Sequence, residues 1–142
     1  MRISDLLRDK GSAVATVSAS ASVTELLGVL EQYNIGATVV TDGDNVVGIV
    51  SERDIVRRLA ERGAPLLGAA VEEIMTRNVV TCAPEDSVDS LAETMTERRI
   101  RHMPVLAAGR LVGIVSIGDV VKSRISQLET DRKQLESYIA QG

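Results

Sequence analysis

The chain contains itself twice. Val46-Val47-Gly48-Ile49-Val50-Ser51-Glu52-Arg53-Asp54-Ile55-Val56 returns as Leu111-Val112-Gly113-Ile114-Val115-Ser116-Ile117-Gly118-Asp119-Val120-Val121, at an offset of 65 (Gly48 to Gly113). The offset holds without a gap from Val14/Val79 to Val56/Val121: Thr16 falls on Thr81, Ser22-Val23 on Ser87-Val88, Leu26 on Leu91, Ile35 on Ile100 and Val40 on Val105. A unit of this length buries too little surface to stand comfortably alone, and repeated units bury their cores against one another. The repeat therefore predicts two halves of one globule: a first unit over 1–62, a linker over 63–70, a second unit over 71–125 and a C-terminal helix over 126–142. Upstream, Ile3-x-x-Leu6-Leu7 matches Val71-x-x-Ile74-Met75 at an offset of 68 (Ile3 to Val71), so the first copy carries extra residues around Lys10-Gly11-Ser12, read as a loop.

Each unit reads as strand, helix, strand, strand, helix. A short apolar segment (13–17, 79–83) leads to a capping serine, Ser22 or Ser87, and then to apolar residues at three- and four-residue steps: Val23, Leu26, Leu27 and Leu30, or Val88, Leu91 and Met95. Two β-rich runs follow, joined by Asp42-Gly43-Asp44-Asn45 or Ala107-Ala108-Gly109-Arg110, which carry hairpin turn chemistry. A helix from Glu52 or Ile117 closes the unit. The fold class is α/β (α+β) with short mixed sheets. Beyond the second unit, Val121, Ile125, Leu128, Leu135 and Ile139 mark an amphipathic helix with no counterpart after the first. Two readings stand for it: a tail packed on its own domain, or a self-association helix.

Composition removes several classes of function. The 142 residues include no Phe or Trp and only two tyrosines, so aromatic platforms for stacking bases are scarce. A net charge of −4 argues against a phosphate-backbone partner, and nucleic acid is not expected. Cys82 is the one cysteine, so no intrachain disulfide forms. Charged residues interrupt every apolar stretch before the roughly 20 residues of a spanning helix, and no signal-peptide pattern opens the chain. A cytoplasmic protein with no membrane partner is expected.

Ser51-x-x-Asp54 and Ser116-x-x-Asp119 each fit a capping box, with serine and acid satisfying backbone N–H groups reciprocally. The same arrangement sets a hydroxyl, first-turn N–H groups and the positive end of a helix at one point, suited to an anion, beside a carboxylate that can accept from a ribose diol. Arg53, Arg57 and Arg58 flank the first motif; Arg98, Arg99, Arg101 and His102 precede the second hairpin. Arg57, Arg58 and Arg98 read as solvated helix faces. Arg101 and His102, where helix hands over to strand through Met103-Pro104-Val105, can point into a groove between the units. A lone histidine cannot build a metal cluster, and neither His102 nor Cys82 has a partner for nucleophilic catalysis. No phosphate-binding glycine loop is present. An enzyme is not expected.

Gly-Ile-Val-Ser-x-x-Asp in both copies, Met75-x-x-x-Val79-x-Thr81-x-x-Pro84, and Ile100-Arg101-His102-Met103-Pro104-Val105 closely resemble a CBS-domain pair, the Bateman module named after cystathionine β-synthase. The resemblance covers about residues 3 to 125. It implies two tandem β-α-β-β-α units packed through their sheets about a pseudo-twofold, with clefts for adenosine-containing ligands: AMP foremost, with ADP, ATP, NAD(H) or S-adenosylmethionine as alternatives. It further implies that Asp54 and Asp119 hold ribose hydroxyls while Ser51 and Ser116 lie near phosphate. The segments after Thr16 and Thr81, with Ile35-Gly36-Ala37 and Arg101-His102-Met103-Pro104, would frame adenine, and Arg101 and His102 match a basic pair facing phosphates. Gly36-Ala37 stands in the first copy where the second has Arg101-His102, and Gly118 stands where the first has Arg53, so the two clefts are expected to differ in ligand preference. The family also implies a regulatory sensor of energy or redox state, a homodimer and an unidentified regulated protein, or else a ligand-free module that binds a partner.

Overall fold

The computed structural model describes residues 1–11 and 13–141. Helix α1 (Ile3–Lys10) is followed by strand β1 (Thr16–Ser18), helix α2 (Val23–Tyr33), the hairpin β2 (Ala37–Asp42) and β3 (Asn45–Ser51), and helix α3 (Glu52–Arg62). Two 3-10 turns, Ala64–Gly68 and Val71–Glu73, lead to α4 (Val88–Arg98), the hairpin β4 (His102–Ala107) and β5 (Arg110–Ser116), and α5 (Ile117–Gln141). The segment expected to loop at Lys10-Gly11-Ser12 is in part helix. Lys10 ends α1, and Gly11, at φ 97, closes it by donating its N–H to the Leu7 carbonyl at 2.7 Å; Ser12 lies outside the described residues.

Local chemistry repeats with the sequence. Ser22 Oγ accepts the Glu25 N–H at 3.1 Å and Ser87 Oγ accepts the Ser90 N–H at 3.0 Å, each satisfying an orphan donor of the following helix. Both helices end in a left-handed residue, Asn34 (φ 50) and Arg99 (φ 55). Asparagine tolerates that conformation; in arginine it costs roughly 1–2 kcal/mol. Each hairpin has a register shift at the same place, Val40/Thr41 and Val105/Leu106.

One expected strand is almost lost. In the first unit β1 pairs in parallel with β2 over Thr16↔Val39, Val17↔Val40 and Ser18↔Thr41, but in the second only the bridge Cys82↔Val105 remains. Two prolines explain this. Ala19 donates to the Thr41 carbonyl at 3.2 Å, and its counterpart Pro84 has no N–H to give. Pro104, whose carbonyl accepts the Cys82 N–H at 3.1 Å, lacks the donor that would continue the ladder in the other direction.

The cores cut across the repeat. Val17, Val23, Leu26, Val40 and Val50 pack with Leu66, Val71 and Ile74, which lie after the first unit. Val88, Leu91, Met95, Met103, Val105 and Val115 pack with Ile3, Leu6 and Leu7, from the start of the first unit ahead of β1. Each hairpin is therefore covered by the segment that precedes the other. Gly48 and Gly113 allow the cover to sit close: a Cβ at Gly48 would collide with the Met75 side chain, and one at Gly113 would lie 2.7 Å from a Leu7 methyl. Val39 is fully buried yet belongs to neither core, since alternation along β2 sets it on the face opposite Val40.

Helix α5 runs unbroken from the second unit into the tail. Ile125, Leu128, Leu135 and Ile139 are each more than half exposed, at 53%, 60%, 59% and 67%. Among the described residues, nothing covers this apolar face of the tail.

Candidate functional site

Backbone alternation explains how both units reach one cavity. Met103 and Val105 face the second core, so His102 and Pro104 face the opposite side, toward the first unit. The cavity so formed, of about 590 Å³, has one wall from the start of α3 (Ser51, Glu52, Arg53, Asp54, Arg57) and another from the α4–β4 junction (Arg99, Ile100, Arg101, His102). Gly36, Ala37, Ile49 and Thr76 complete it. The frame is tied by backbone bonds: Glu52 N–H to the Gly36 carbonyl at 2.9 Å, Ile117 N–H to the Arg101 carbonyl at 2.8 Å, and Ile49 and Thr76 exchanging two bonds of 3.1 and 2.9 Å.

The capping box is present in both copies. Ser51 N–H and Oγ–H donate to Asp54 Oδ2 at 2.8 and 3.1 Å, and the Asp54 N–H donates to Ser51 Oγ at 3.4 Å. Ser116 N–H donates to Asp119 Oδ2 at 2.8 Å and the Asp119 N–H to Ser116 Oγ at 3.1 Å. The remaining oxygen of Asp54, Oδ1, accepts no hydrogen bond among the described residues. At Asp119 a further group has arrived: Lys10 Nζ lies 2.6 Å from Oδ2 and donates to the Ile114 carbonyl at 2.7 Å. Burial works to raise the Asp119 pKa, but the bonds from Lys10 and from the Ser116 N–H outweigh it and hold the carboxyl below its ordinary value.

Charge at the cavity is lopsided. Among the described residues, Arg53, Arg57, Arg99 and Arg101 have no ion pair and donate no side-chain hydrogen bond, whereas Arg58 pairs with Glu61 and Arg62 with Glu73. Four guanidiniums thus meet only Glu52 and Asp54 in a chain of net charge −4. Burial first, and then the charge of Lys10, lowers the His102 pKa from 6.5, so its imidazole is neutral at pH 7. Burial pushes the Cys82 thiol up to about 12, in keeping with a packed, unreactive side chain.

Of the residues singled out in the sequence, Gly36, Ala37, Ser51, Arg53, Asp54, Arg101 and His102 come together in this cavity. Ile35 lies in an adjoining groove of about 440 Å³ with Leu27, Asn34 and Val56. Thr16 and Thr81 are exposed. Met103 is buried in the second core, and the Pro104 carbonyl holds Cys82. Ser116, Gly118 and Asp119 stand together at the start of α5 and do not line this cavity, although Ser116 pairs with His102 across the β4–β5 hairpin. Arg57 is exposed, as a solvated face requires, and also lines the cavity: it lies one helical turn after Arg53 and shares its face. Thr76 and Arg99 carried no motif. Thr76 arrives from the start of the second unit, and Arg99, exposed at its left-handed cap position, borders the cavity.

Among the described residues no group of three or more His, Cys, Asp or Glu side chains could hold a metal ion. No helix is long and apolar enough to cross a membrane.

The family model for the CBS domain matches the chain twice, over residues 3–61 and 71–126. The chain is 32% identical over 149 aligned residues to the CBS domain-containing protein CBSX3, mitochondrial, of Arabidopsis thaliana, covering 99% of this chain and 72% of that one. Its structure is similar to that of the CBS-domain containing protein ATU1752 from Agrobacterium tumefaciens, with 48% identity and a TM-score of 0.84 over 87% of this chain and 99% of the other. It is similar as well to the CBS domain pair of protein MJ0100 in complex with 5'-methylthioadenosine and S-adenosyl-L-methionine, with 29% identity and a TM-score of 0.80 over 89% and 98% of the two chains.

Proposed function

Because this chain belongs to the CBS-domain family, whose paired modules are regulatory ligand-binding domains, we propose that it is a cytoplasmic sensor of phosphate-bearing adenine nucleotides, acting by binding and not by catalysis. One observation carries the reading: a cavity of about 590 Å³ joins the free oxygen of Asp54 to four unpaired arginines and His102. The carboxylate suits a ribose diol; the guanidiniums suit phosphates, which they can grip bidentately. S-Adenosylmethionine, which carries a sulfonium cation, would meet like charge there. ATP and ADP fit the charge better than AMP, which leads on family resemblance alone.

Calorimetry against ATP, ADP, AMP, NADH and S-adenosylmethionine tests this. The phosphate-rich nucleotides are expected to bind below millimolar and to weaken as salt rises, with S-adenosylmethionine weakest. Absence of sub-millimolar binding by every compound would leave the alternative, a ligand-free module that binds a protein partner. The pH dependence follows from His102. Its free-state pKa is depressed, so it is unprotonated at pH 7, and a bound phosphate favours the imidazolium. Binding is therefore expected to take up protons and to strengthen as pH falls from 7 through about 6.5. Heats that do not vary with the ionisation enthalpy of the buffer would count against His102 facing phosphate.

The assembly we propose is a homodimer. Ile125, Leu128, Leu135 and Ile139 alternate by three and four residues, with Arg132 in the remaining seam position, and nothing among the described residues covers them. Truncation after Ser126 is expected to halve the solution mass measured by light scattering. A dimer that survives truncation would place the interface elsewhere.

A further inference from the structure

The two Ser-x-x-Asp sites differ in what reaches them from outside the repeat. At the first, the Ile49 carbonyl takes the backbone N–H of Thr76, and Asp54 receives donors only from Ser51. At the second, one ammonium satisfies both counterparts, Ile114 and Asp119. The cause lies in the extra residues of the first copy. The segment before β1 forms the two-turn helix α1, where its counterpart Val71–Glu73 is a single 3-10 turn, and Leu7 seats that helix over Gly113. Lys10, on the last turn, is thus delivered to the carboxylate. The pair is half sheltered, with the two side chains 34% and 21% exposed.

We propose that Lys10 is this chain's own occupant of the second diol site, so that the module binds one nucleotide per chain, in the first cleft. This rests on the adenosine reading given above. A ribose approaching Asp119 would have to displace an ammonium bonded to both Asp119 and the Ile114 carbonyl, exchanging a bond charged at both ends for ones charged only at the carboxylate. The second cleft also offers little in return. The counterparts of Arg53, Arg99 and Arg101 there are Gly118, Asn34 and Gly36, and only Arg57 has a basic counterpart, Lys122, so displacing Lys10 would remove one of the few cations at that site.

The test counts adenosine bound per chain by equilibrium dialysis, since adenosine needs the diol site but no phosphate-binding arginines. The wild type and Lys10→Arg, which keeps the charge, are expected to bind one equivalent; Lys10→Ala is expected to gain a second. The Asp119 carboxyl, followed by carbon-detected NMR, is expected to titrate at higher pH in Lys10→Ala than in the wild type. This shows independently of any nucleotide that the pair exists. Two equivalents on the wild type would overturn the inference and leave the first cleft's role intact. One equivalent on Lys10→Ala, or an unmoved Asp119 titration, would also overturn it. No adenosine bound by any variant would overturn this inference, and the nucleotide reading falls with it only if ATP does not bind either.

Discussion

Asp54→Ala is expected to weaken ATP binding by about ten- to a hundredfold. A diol that donates to a carboxylate makes charge-assisted bonds whose joint loss is on the order of 1.5–3 kcal/mol, and alanine offers no acceptor in their place. The same substitution removes one half of the α3 capping box, in which Asp54 accepts the Ser51 N–H at 2.8 Å. Stability should fall too, by about 1 kcal/mol. The two effects are separable. Ser51→Ala loses the hydroxyl of the cap but keeps the carboxylate, so it should share the lower Tm and retain most of the affinity. If Asp54→Ala binds ATP as tightly as the wild type while its Tm drops, the aspartate is a cap and nothing more.

Gly48→Val is expected to lower stability by on the order of 2–3 kcal/mol, the range for forcing carbon into a filled core. A Cβ there would sit 2.8 Å from Met75 Cγ and 3.1 Å from the Thr76 carbonyl oxygen. The Met75 side chain can swing away. Thr76 cannot, because its backbone is bonded to Ile49 in both directions. At roughly 2–4 °C per kcal/mol for a chain of this size, Tm should fall by about 4–12 °C. Gly113→Ala is the comparison: its Cβ would meet only the side chain of Leu7, at 2.7 and 2.9 Å from its methyls, so the loss should be smaller. Since Thr76 also lines the cavity, Gly48→Val should weaken nucleotide binding as well. A Tm unchanged within a degree would show that the Met75-Thr76 segment does not ride on this sheet.

Features written in short-range chemistry could be read from the sequence. Ser51 and Asp54 cap α3, Ser22 caps α2, and the hairpin turns fall where Gly43 and Gly109 supply positive φ. Pro84 was equally visible, but its effect depends on which neighbour its missing N–H would have met, and that neighbour, Leu106, is distant in the chain. Core membership was illegible for a related reason. The apolar spacing of Ile3, Leu6 and Leu7 says that they are buried, not against what, and they cross to the second hairpin. The site divides the same way. The α3 start and Arg101-His102 were legible because they carry motif or junction chemistry. Arg99 depends on a cap conformation unusual for its residue type, and Lys10 owes its place to the length of a helix whose sequence says nothing of Asp119.

The crossed cores say something about origin. If two identical single units each laid their leading arm over the other's hairpin, they would form a symmetric swapped pair, a low-cost route to dimers. Joined end to end, such a pair becomes one polypeptide, and its former equivalents are free to diverge. Arg101 could then face Gly36 across the old axis, and one arm could lengthen until its lysine reached the neighbouring aspartate, changes that no symmetric ancestor could make on one side alone.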